Sequence, residues 1–326
     1  MKAVWYEQNG PADVLEYGDM PDPEPGAGEV RIRMVTSGVN PSDWKRRQGL
    51  SNIIEFPRVI PNQDGAGVID AVGPDVPKSR VGERVWLFEA QFRRPFGTGA
   101  EYCVQPSAHA VPLPENTSFE FGAGLGVPAM TAHRCVFSDG PVTGKTLLVT
   151  GGAGAVGHYA IQMAKLGGAR VVTTVSSEEK GRTAFEAGAD HIINYRAGNT
   201  AEALFEVTGG WGIDHIVEVD MAANFPVSQQ VLRSSGVLAV YSAGTAPAPD
   251  VPFKFDSTNV TIHMVLVYDM PERAKTDAVA DITRWLSQGK LSHFPGPHFP
   301  LQQLKEAHLA VQNGAIGKVV VDINPE

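Results

Sequence analysis

Cysteine is nearly absent: Cys103 and Cys135 are the two in 326 residues. Two thiols exclude a disulfide framework and a four-cysteine metal lobe. Each is expected to be a small buried apolar residue. No uninterrupted apolar run approaches membrane-spanning length. Met1-Lys2-Ala3-Val4-Trp5 opens no apolar core of signal-peptide length, so the expected location is cytoplasmic. A basic excess is also missing. Lys and Arg number 27 against 36 Asp and Glu, leaving a net charge of −9. That balance opposes nucleic-acid binding, which needs cations to replace phosphate counterions. The one basic run, Lys45-Arg46-Arg47, is short and reads equally as a solvated face or a functional patch. The nine histidines are scattered, with no pair at a spacing of four.

What is present is 43% hydrophobic content with only 19% charge, enough for cores in two domains. Gly and Pro punctuate short apolar runs in the first third: strands at Val30–Val35, Gly65–Val72 and Arg84–Phe88, with no long amphipathic helix before about Phe119. Near residue 140 the rhythm changes to alternating strands and helices. Strands fall at Thr146–Thr150, Arg170–Val175, His191–Tyr195, Ile213–Asp220 and Gly236–Tyr241. Helices fall at Tyr159–Leu166, Glu178–Ala187, Thr200–Val207 and near Val227–Leu232. This alternation predicts a parallel sheet covered on both faces. A strand at Val260–Val267, a helix at Glu272–Gln288, a Pro-rich bend at Phe294–Pro300, a helix near Leu301–Val311 and a strand at Lys318–Ile323 complete the chain.

Gly151-Gly152-Ala153-Gly154-Ala155-Val156-Gly157 joins the first strand of the alternating half to its helix. It fits G-x-G-x-x-G at Gly152, Gly154 and Gly157, and G-x-x-G-x-x-G at Gly151, Gly154 and Gly157. The motif alone is weak, but a strand before it and a helix after it supply the context of a dinucleotide-binding turn. Glycine permits the turn and lets backbone N–H groups meet a pyrophosphate at the positive end of the helix.

The second strand selects the cofactor. Dinucleotide sites for NAD place an Asp or Glu about 20 residues on, against the ribose hydroxyls. Here the strand ends Val175-Ser176-Ser177, with Lys180 and Arg182 just beyond. Hydroxyls and cations without a carboxylate favour a 2′-phosphate, so NADPH is the expected cofactor. Glu178 and Glu179 are read as first-turn residues facing the helix's positive end.

Several segments together resemble the zinc-free quinone oxidoreductases of the medium-chain dehydrogenase/reductase superfamily, the zeta-crystallin-like group. They are Gly38-Val39-Asn40-Pro41-Ser42-Asp43 with Gly49, Pro61 to Ile69, Val81-Gly82-Glu83-Arg84-Val85, Thr131-Ala132, the glycine turn, Gly188-Ala189-Asp190, Asn194-Tyr195-Arg196 and Gly317-Lys318. The resemblance implies an α/β fold: a GroES-like β domain formed by both chain ends, residues 1–124 and 266–326, around an inserted Rossmann doubly wound parallel-sheet domain, residues 125–265. It implies an active site in the cleft between them, and a homodimer. It implies that Asn40, Asp43 and Thr131 lie near the nicotinamide, and that Ser176, Lys180 and Tyr195 hold the 2′-phosphate, where Ser177 is the further hydroxyl read from the strand end. It further implies backbone contacts from Ser242, Ala243, Gly244, Val265, Leu266 and Val267, and a cofactor-side position for Lys318. A Tyr common after the Asn-Pro motif has no counterpart: position 45 is Lys, and the loop Leu50–Pro57 contains none.

Zinc-dependent members of the superfamily place Cys and Gly-His-Glu where this chain has Asn40 and Asn62-Gln63-Asp64. Amides and a lone carboxylate are a poor zinc set, so no metal is expected. Asp64 is expected to hold neighbouring side chains by hydrogen bonds. Alcohol oxidation needs a zinc ion or a tuned base. An electron-poor quinone or enone needs mainly to be held near the nicotinamide, and its product takes a proton from water. The expected activity is therefore NADPH-dependent quinone reduction on a small-molecule acceptor. Reduction of α,β-unsaturated carbonyls is the nearest alternative. A non-catalytic NADPH- or RNA-binding role is the reading of another class, disfavoured by the acidic balance.

Overall fold

The computed structural model describes residues 1–51, 54–244 and 258–324. Two residues of the loop 50–57 thus lie outside the described set. In chain order the elements are β1 (Lys2–Trp5), β2 (Glu16–Asp19), β3 (Glu29–Gly38), α1 (Pro41–Gln48), β4 (Asp64–Val72), β5 (Arg84–Leu87), β6 (Tyr102–Pro106), β7 (Ala110–Pro112), α2 (Phe119–Gly122), α3 (Met130–Val136), β8 (Thr146–Thr150), α4 (Ala155–Leu166), β9 (Arg170–Val175), α5 (Glu178–Glu186), β10 (His191–Asn194), α6 (Thr200–Val207), β11 (Ile213–Glu218), α7 (Met221–Val231), β12 (Leu232–Val240), β13 (Thr261–Met264), α8 (Glu272–Ser287), β14 (Pro295–Pro300), α9 (Leu304–Gln312) and β15 (Lys318–Asp322). They divide into two compact units, residues 1–127 with 279–326, and residues 128–278.

The first unit is a largely antiparallel sheet ordered β14-β15-β3-β4-β5-β7, with β6 also on β3. Its C-terminal strand pairs with its long N-terminal one, Val320 opposite Gly38 and Asp322 opposite Thr36, so both chain ends build one sheet. The core under it is Val30, Ile32, Met34, Ile69, Val85 and Leu87, all buried. Each such side chain contributes about 1.5–3 kcal/mol on leaving water. The Pro-rich bend expected at Phe294–Pro300 is instead the strand β14, paired in parallel with β15. Prolines fit there because an edge strand leaves one row of N–H groups unpaired. α1 is eight residues long and mostly polar, which hid it from a search for apolar periodicity.

The second unit carries a six-stranded, wholly parallel sheet ordered β10-β9-β8-β11-β12-β13. This is the doubly wound order, and its reversal point lies between β8 and β11. β8 reads Thr-Leu-Leu-Val-Thr because helices cover both faces, and its three apolar residues are buried. Leu204 of α6 and Phe225 of α7 pack with Leu148, Ile216 and Leu238. α7 starts six residues before the expected helix, because Asp220 caps it by accepting from Ala223 N. Its apolar residues follow no clean helical stripe, and Pro226 interrupts it. Both cysteines are buried, as expected, and burial raises both thiol pKa values, that of Cys103 to about 11. Among the described residues no helix is long and apolar enough to cross a membrane.

Candidate active site

In the second unit, the glycine turn leaves β8 and enters α4. Gly151 has φ +67°, a conformation that L side chains rarely adopt. Gly152 and Gly157 are required by contact. A Cβ on Gly152 would lie 2.1 Å from Thr173 Oγ1, and one on Gly157 would lie 2.4 Å from the Gly151 carbonyl oxygen. Gly154 caps α4 with extended backbone, and the first helical bond runs from His158 N to Gly154 O at 2.8 Å. The N–H groups of Ala155, Val156 and Gly157 precede it and have no partner within the helix. Three aligned donors at the positive end of a twelve-residue helix form a cradle for an anion.

Next to this turn is a cavity of about 470 Å³ at the carboxyl ends of the parallel strands. Thr150, Gly151, Thr174, Tyr195, Asp220 and Asn224 are among its walls. That is the crevice where doubly wound sheets hold ligands. Ser176, Ser177 and Tyr195 border the same end. Tyr195 N donates to Val175 O at 3.1 Å, which sets the Tyr195 ring, about half exposed, beside the exit of β9. Ser177 caps α5, its Oγ accepting from Lys180 N at 3.3 Å. Its hydroxyl proton remains a donor. Lys180 is half-buried, and among the described residues its ammonium has no carboxylate partner. Glu178 and Glu179 are exposed in the first turn of α5.

Ser242, Ala243 and Gly244 follow β12 and cover the start of α7, whose Met221 N and Ala222 N donate to Ser242 O and Ala243 O. A Cβ on Gly244 would lie 2.1 Å from Asp220 Oδ1. Val265 N donates to Val240 O at 2.7 Å, Leu266 is exposed and Val267 is buried. Thr131 is buried on α3.

Sequence reasoning missed Glu218 at the reversal point. It is buried, and its Oε1 accepts from Thr150 Oγ1 (3.0 Å), Asp220 N (2.7 Å) and Asn224 Nδ2 (2.7 Å). Burial raises its pKa, against the lowering effect of those donors. One carboxylate thus ties the start of the glycine turn to the start of α7. The available signal was an acidic residue directly after the apolar pair Ile216-Val217.

In the first unit, Asn40, Asp43, Asp64 and Lys318 come together, all buried. Asp64 Oδ2 accepts from Asn40 Nδ2 and from Lys318 Nζ, each at 2.8 Å. Lys318 Nζ also donates to Asn40 Oδ1 at 2.7 Å, closing a triangle. Asp64 Oδ1 accepts from Val127 N at 2.8 Å. Asp43 Oδ2 accepts from Asn40 N at 2.7 Å at the start of α1. Burial first, then the neighbouring Asp64 charge, pushes the Asp43 carboxyl up to about 7. Hydrogen bonds from Asn40 and the Lys318 charge hold it down in part. Lys318, expected on the cofactor side, has its ammonium on Asn40 and Asp64.

A second buried chain supports this cluster. His308 Nε2 meets Asn62 Oδ1 at 2.9 Å and Asn62 Nδ2 donates to Ser37 Oγ at 2.9 Å. Ser37 Oγ meets Thr98 Oγ1 at 2.7 Å, and Thr98 donates to Asp64 O at 2.6 Å. Asn62 holds φ +77°, a strained value for a non-glycine residue. Burial lowers the His308 pKa to about 3, so the ring is neutral and Nε2–H is the donor. In the basic run, Arg47 is fully buried and donates to Gly10 O at 2.7 Å, so the solvated reading fails for that residue.

A unit with a doubly wound parallel sheet and a glycine cradle, in one chain with a β unit built from both chain ends, defines a dinucleotide-dependent oxidoreductase. Residues 26–115 match the alcohol dehydrogenase GroES-like domain, and residues 155–284 match the domain named zinc-binding dehydrogenase. A quinone oxidoreductase from Lama guanicoe is 30% identical over 328 residues, 98% of this chain and 97% of that protein. A 2-haloacrylate reductase from a Burkholderia species is 31% identical over 256 residues, 77% of this chain and 75% of that one. Among solved structures, one described as an NAD-dependent alcohol dehydrogenase superposes with a TM-score of 0.91 at 30% identity, covering 99% of this chain and 100% of that one. A mycobacterial protein solved with NADPH superposes with a TM-score of 0.86 at 28% identity, covering 99% of each chain. The chain belongs to the quinone oxidoreductase family of the medium-chain dehydrogenase/reductase superfamily.

Proposed function

We propose that this protein is an NADPH-dependent quinone oxidoreductase that works without a metal. The observation that carries the reading is the carboxyl end of β9, where the strand is followed by Ser176 and Ser177 with no carboxylate at its tip, and by Lys180, whose ammonium has no carboxylate partner among the described residues. The glycine cradle suits a pyrophosphate because the N–H groups of residues 155–157 have no partner within the helix at the start of α4, on a turn that Gly152 and Gly157 allow to pack against Thr173 and the Gly151 carbonyl. The mycobacterial relative solved with NADPH supports this choice of cofactor. A neighbour described as NAD-dependent points the other way, so the choice rests on this chain's own residues at the end of β9.

The bound cofactor supplies a hydride, two electrons and one proton, to an electron-poor acceptor, and solvent supplies the second proton of the hydroquinone. The protein's part is to hold the two reactants at reacting distance and exclude competing water. Backbone donors of residues 155–157 fix the pyrophosphate. Ser176, Ser177, Lys180 and Tyr195 fix the adenosine end. Residues 242–244 and 265–267 border the nicotinamide. Asn40 and Thr131 orient the reacting partners. Asn40 suits this role because Lys318 and Asp64 fix both ends of its amide.

A zinc ion does not fit the Asn40–Asp64 position. The ammonium of Lys318 already holds both oxygens, and Gln63 supplies neither imidazole nor thiolate. No step is therefore routed through a metal. The 2-haloacrylate reductase relative favours one second reading, hydride delivery to an activated C=C bond. The homodimer belongs to the same proposal and is supported by the outer strand β13, followed by exposed Leu266 and ending in exposed Met264. Neither nucleic acid nor membrane is proposed as a partner.

The test is steady-state oxidation of NADPH by the purified protein with a panel of quinones and enones. A catalytic efficiency higher for a quinone than for an enone supports the first reading, and the reverse supports the second. No NADPH oxidation with any acceptor overturns both.

A further inference from the structure

We infer that Lys318 is a built-in cation, standing where a divalent ion would otherwise hold Asn40 and Asp64 together, and that its removal opens a latent cation site. The inference deepens the metal-free part of the reading above and does not depend on the acceptor.

The pair is closed on all sides. The Lys318 and Asp64 side chains are 4% and 0% exposed, with Nζ and Oδ2 2.8 Å apart. The other carboxylate oxygen is held by Val127 N. The surrounding backbone is shaped for both groups. A Cβ on Gly38 would lie 2.0 Å from the Ala123 carbonyl oxygen and 2.6 Å from Lys318 Cε, so the bare backbone at residue 38 leaves room for both. A Cβ on Gly126 would lie 2.3 Å from Asp64 Oδ1. Gly38 and Gly126, on separate segments, thus border the ion pair as well as the backbone carbonyls of Ala123 and Leu87.

The charges follow. Asp64 buried alone would be a strongly destabilising anion, and Lys318 neutralises it. Asp43 is buried in the same cluster, where its Oδ2 accepts from Asn40 N at 2.7 Å. Without the ammonium, the pocket holds an amide oxygen, one carboxylate and an adjacent carboxyl. Such an oxygen set suits a hard divalent cation such as Mn²⁺.

The experiment compares the full-length wild type, Lys318→Ala and the double variant Asp64→Asn/Lys318→Met. Each is dialysed against Mn²⁺ and desalted, then read by elemental analysis, electron paramagnetic resonance and thermal melting. Wild type is expected to retain no stoichiometric Mn²⁺. Lys318→Ala is expected to melt about 10 °C lower, to retain one equivalent and to regain part of that loss when loaded. The double variant is expected to bind none and to melt well above Lys318→Ala. A wild type that retains one equivalent absent from the double variant overturns the inference, as does a folded Lys318→Ala that neither binds Mn²⁺ nor shifts with it. Should Lys318→Ala be recovered only unfolded, a folded double variant upholds the charge balance, and an equally unfolded one overturns it. These readouts involve no turnover, so a failure of quinone reduction is separately visible.

Discussion

Replacing Lys180 by alanine separates nucleotide selection from nucleotide binding. Its ammonium has no carboxylate partner among the described residues, so the truncation removes no ion pair that the fold uses. The contact that matters to α5, Lys180 N to Ser177 Oγ, is backbone and survives. A hydrogen bond to a charged phosphate contributes about 1.5–3 kcal/mol. Lys180 is half-exposed, so solvent screening puts its share near the lower end, about 1.5–2 kcal/mol. At about 1.4 kcal/mol per tenfold, NADPH should bind about 10–30-fold more weakly. NADH has no phosphate there and should change by about twofold at most. Titration calorimetry with both nucleotides reads the ratio directly. Equal weakening of the two, or an unchanged NADPH affinity, would refute the assignment of the β9 end to the 2′-phosphate. Ser176→Asp should push the same ratio further, toward NADH, by placing a carboxylate beside the ribose.

Gly157→Ala should weaken NADPH and NADH alike and lower thermal stability by about 1–3 kcal/mol, because its methyl meets backbone that must move; unchanged melting and binding would show that the turn has slack. Asp43 gives a pH test. Its folded pKa of about 7 lies above the ordinary carboxyl value, so its stabilising contribution is full below about pH 4 and is lost as pH rises through about 7. Roughly three pKa units correspond to about 4 kcal/mol at most. Asp43→Asn should therefore gain stability over wild type steadily between pH 4 and 8 in chemical denaturation, and a constant difference would show that Asp43 is ionised throughout.

The alternating half was legible because fully buried parallel strands and two-layer helices impose strong periodicity, as in Thr146–Thr150 and Ala155–Leu166. The glycine turn was legible because the close contacts at Gly152 and Gly157 impose a fixed glycine spacing between a strand and a helix. β14 was not, since its prolines are ordinary turn residues unless a neighbouring strand is known to pair with it. The partners of Lys318 were equally hidden. Asn40, Asp64 and Lys318 lie on three segments far apart in the chain, and no local pattern announces an ion pair of that kind. Glu218 was hidden because an acidic residue at a strand end also reads as a simple exit to solvent. The helix-cap role of Asp220 was missed with it, so the start of α7 was placed too late.

The pairing of β15 with β3 has a bearing on how the chain matures. Lys318 and Asn40 are separated by 278 residues. During synthesis the parallel-sheet unit is complete in sequence well before that lysine emerges, whereas the first sheet waits with Asp64 unneutralised. The last strand therefore acts as a latch: its arrival pairs the open side of β3, joins β14 to the sheet and brings the counter-charge in one event. Trimming it would leave a half-built sheet with an anion at its centre and an open edge beside it, the kind of species that holdase chaperones retain.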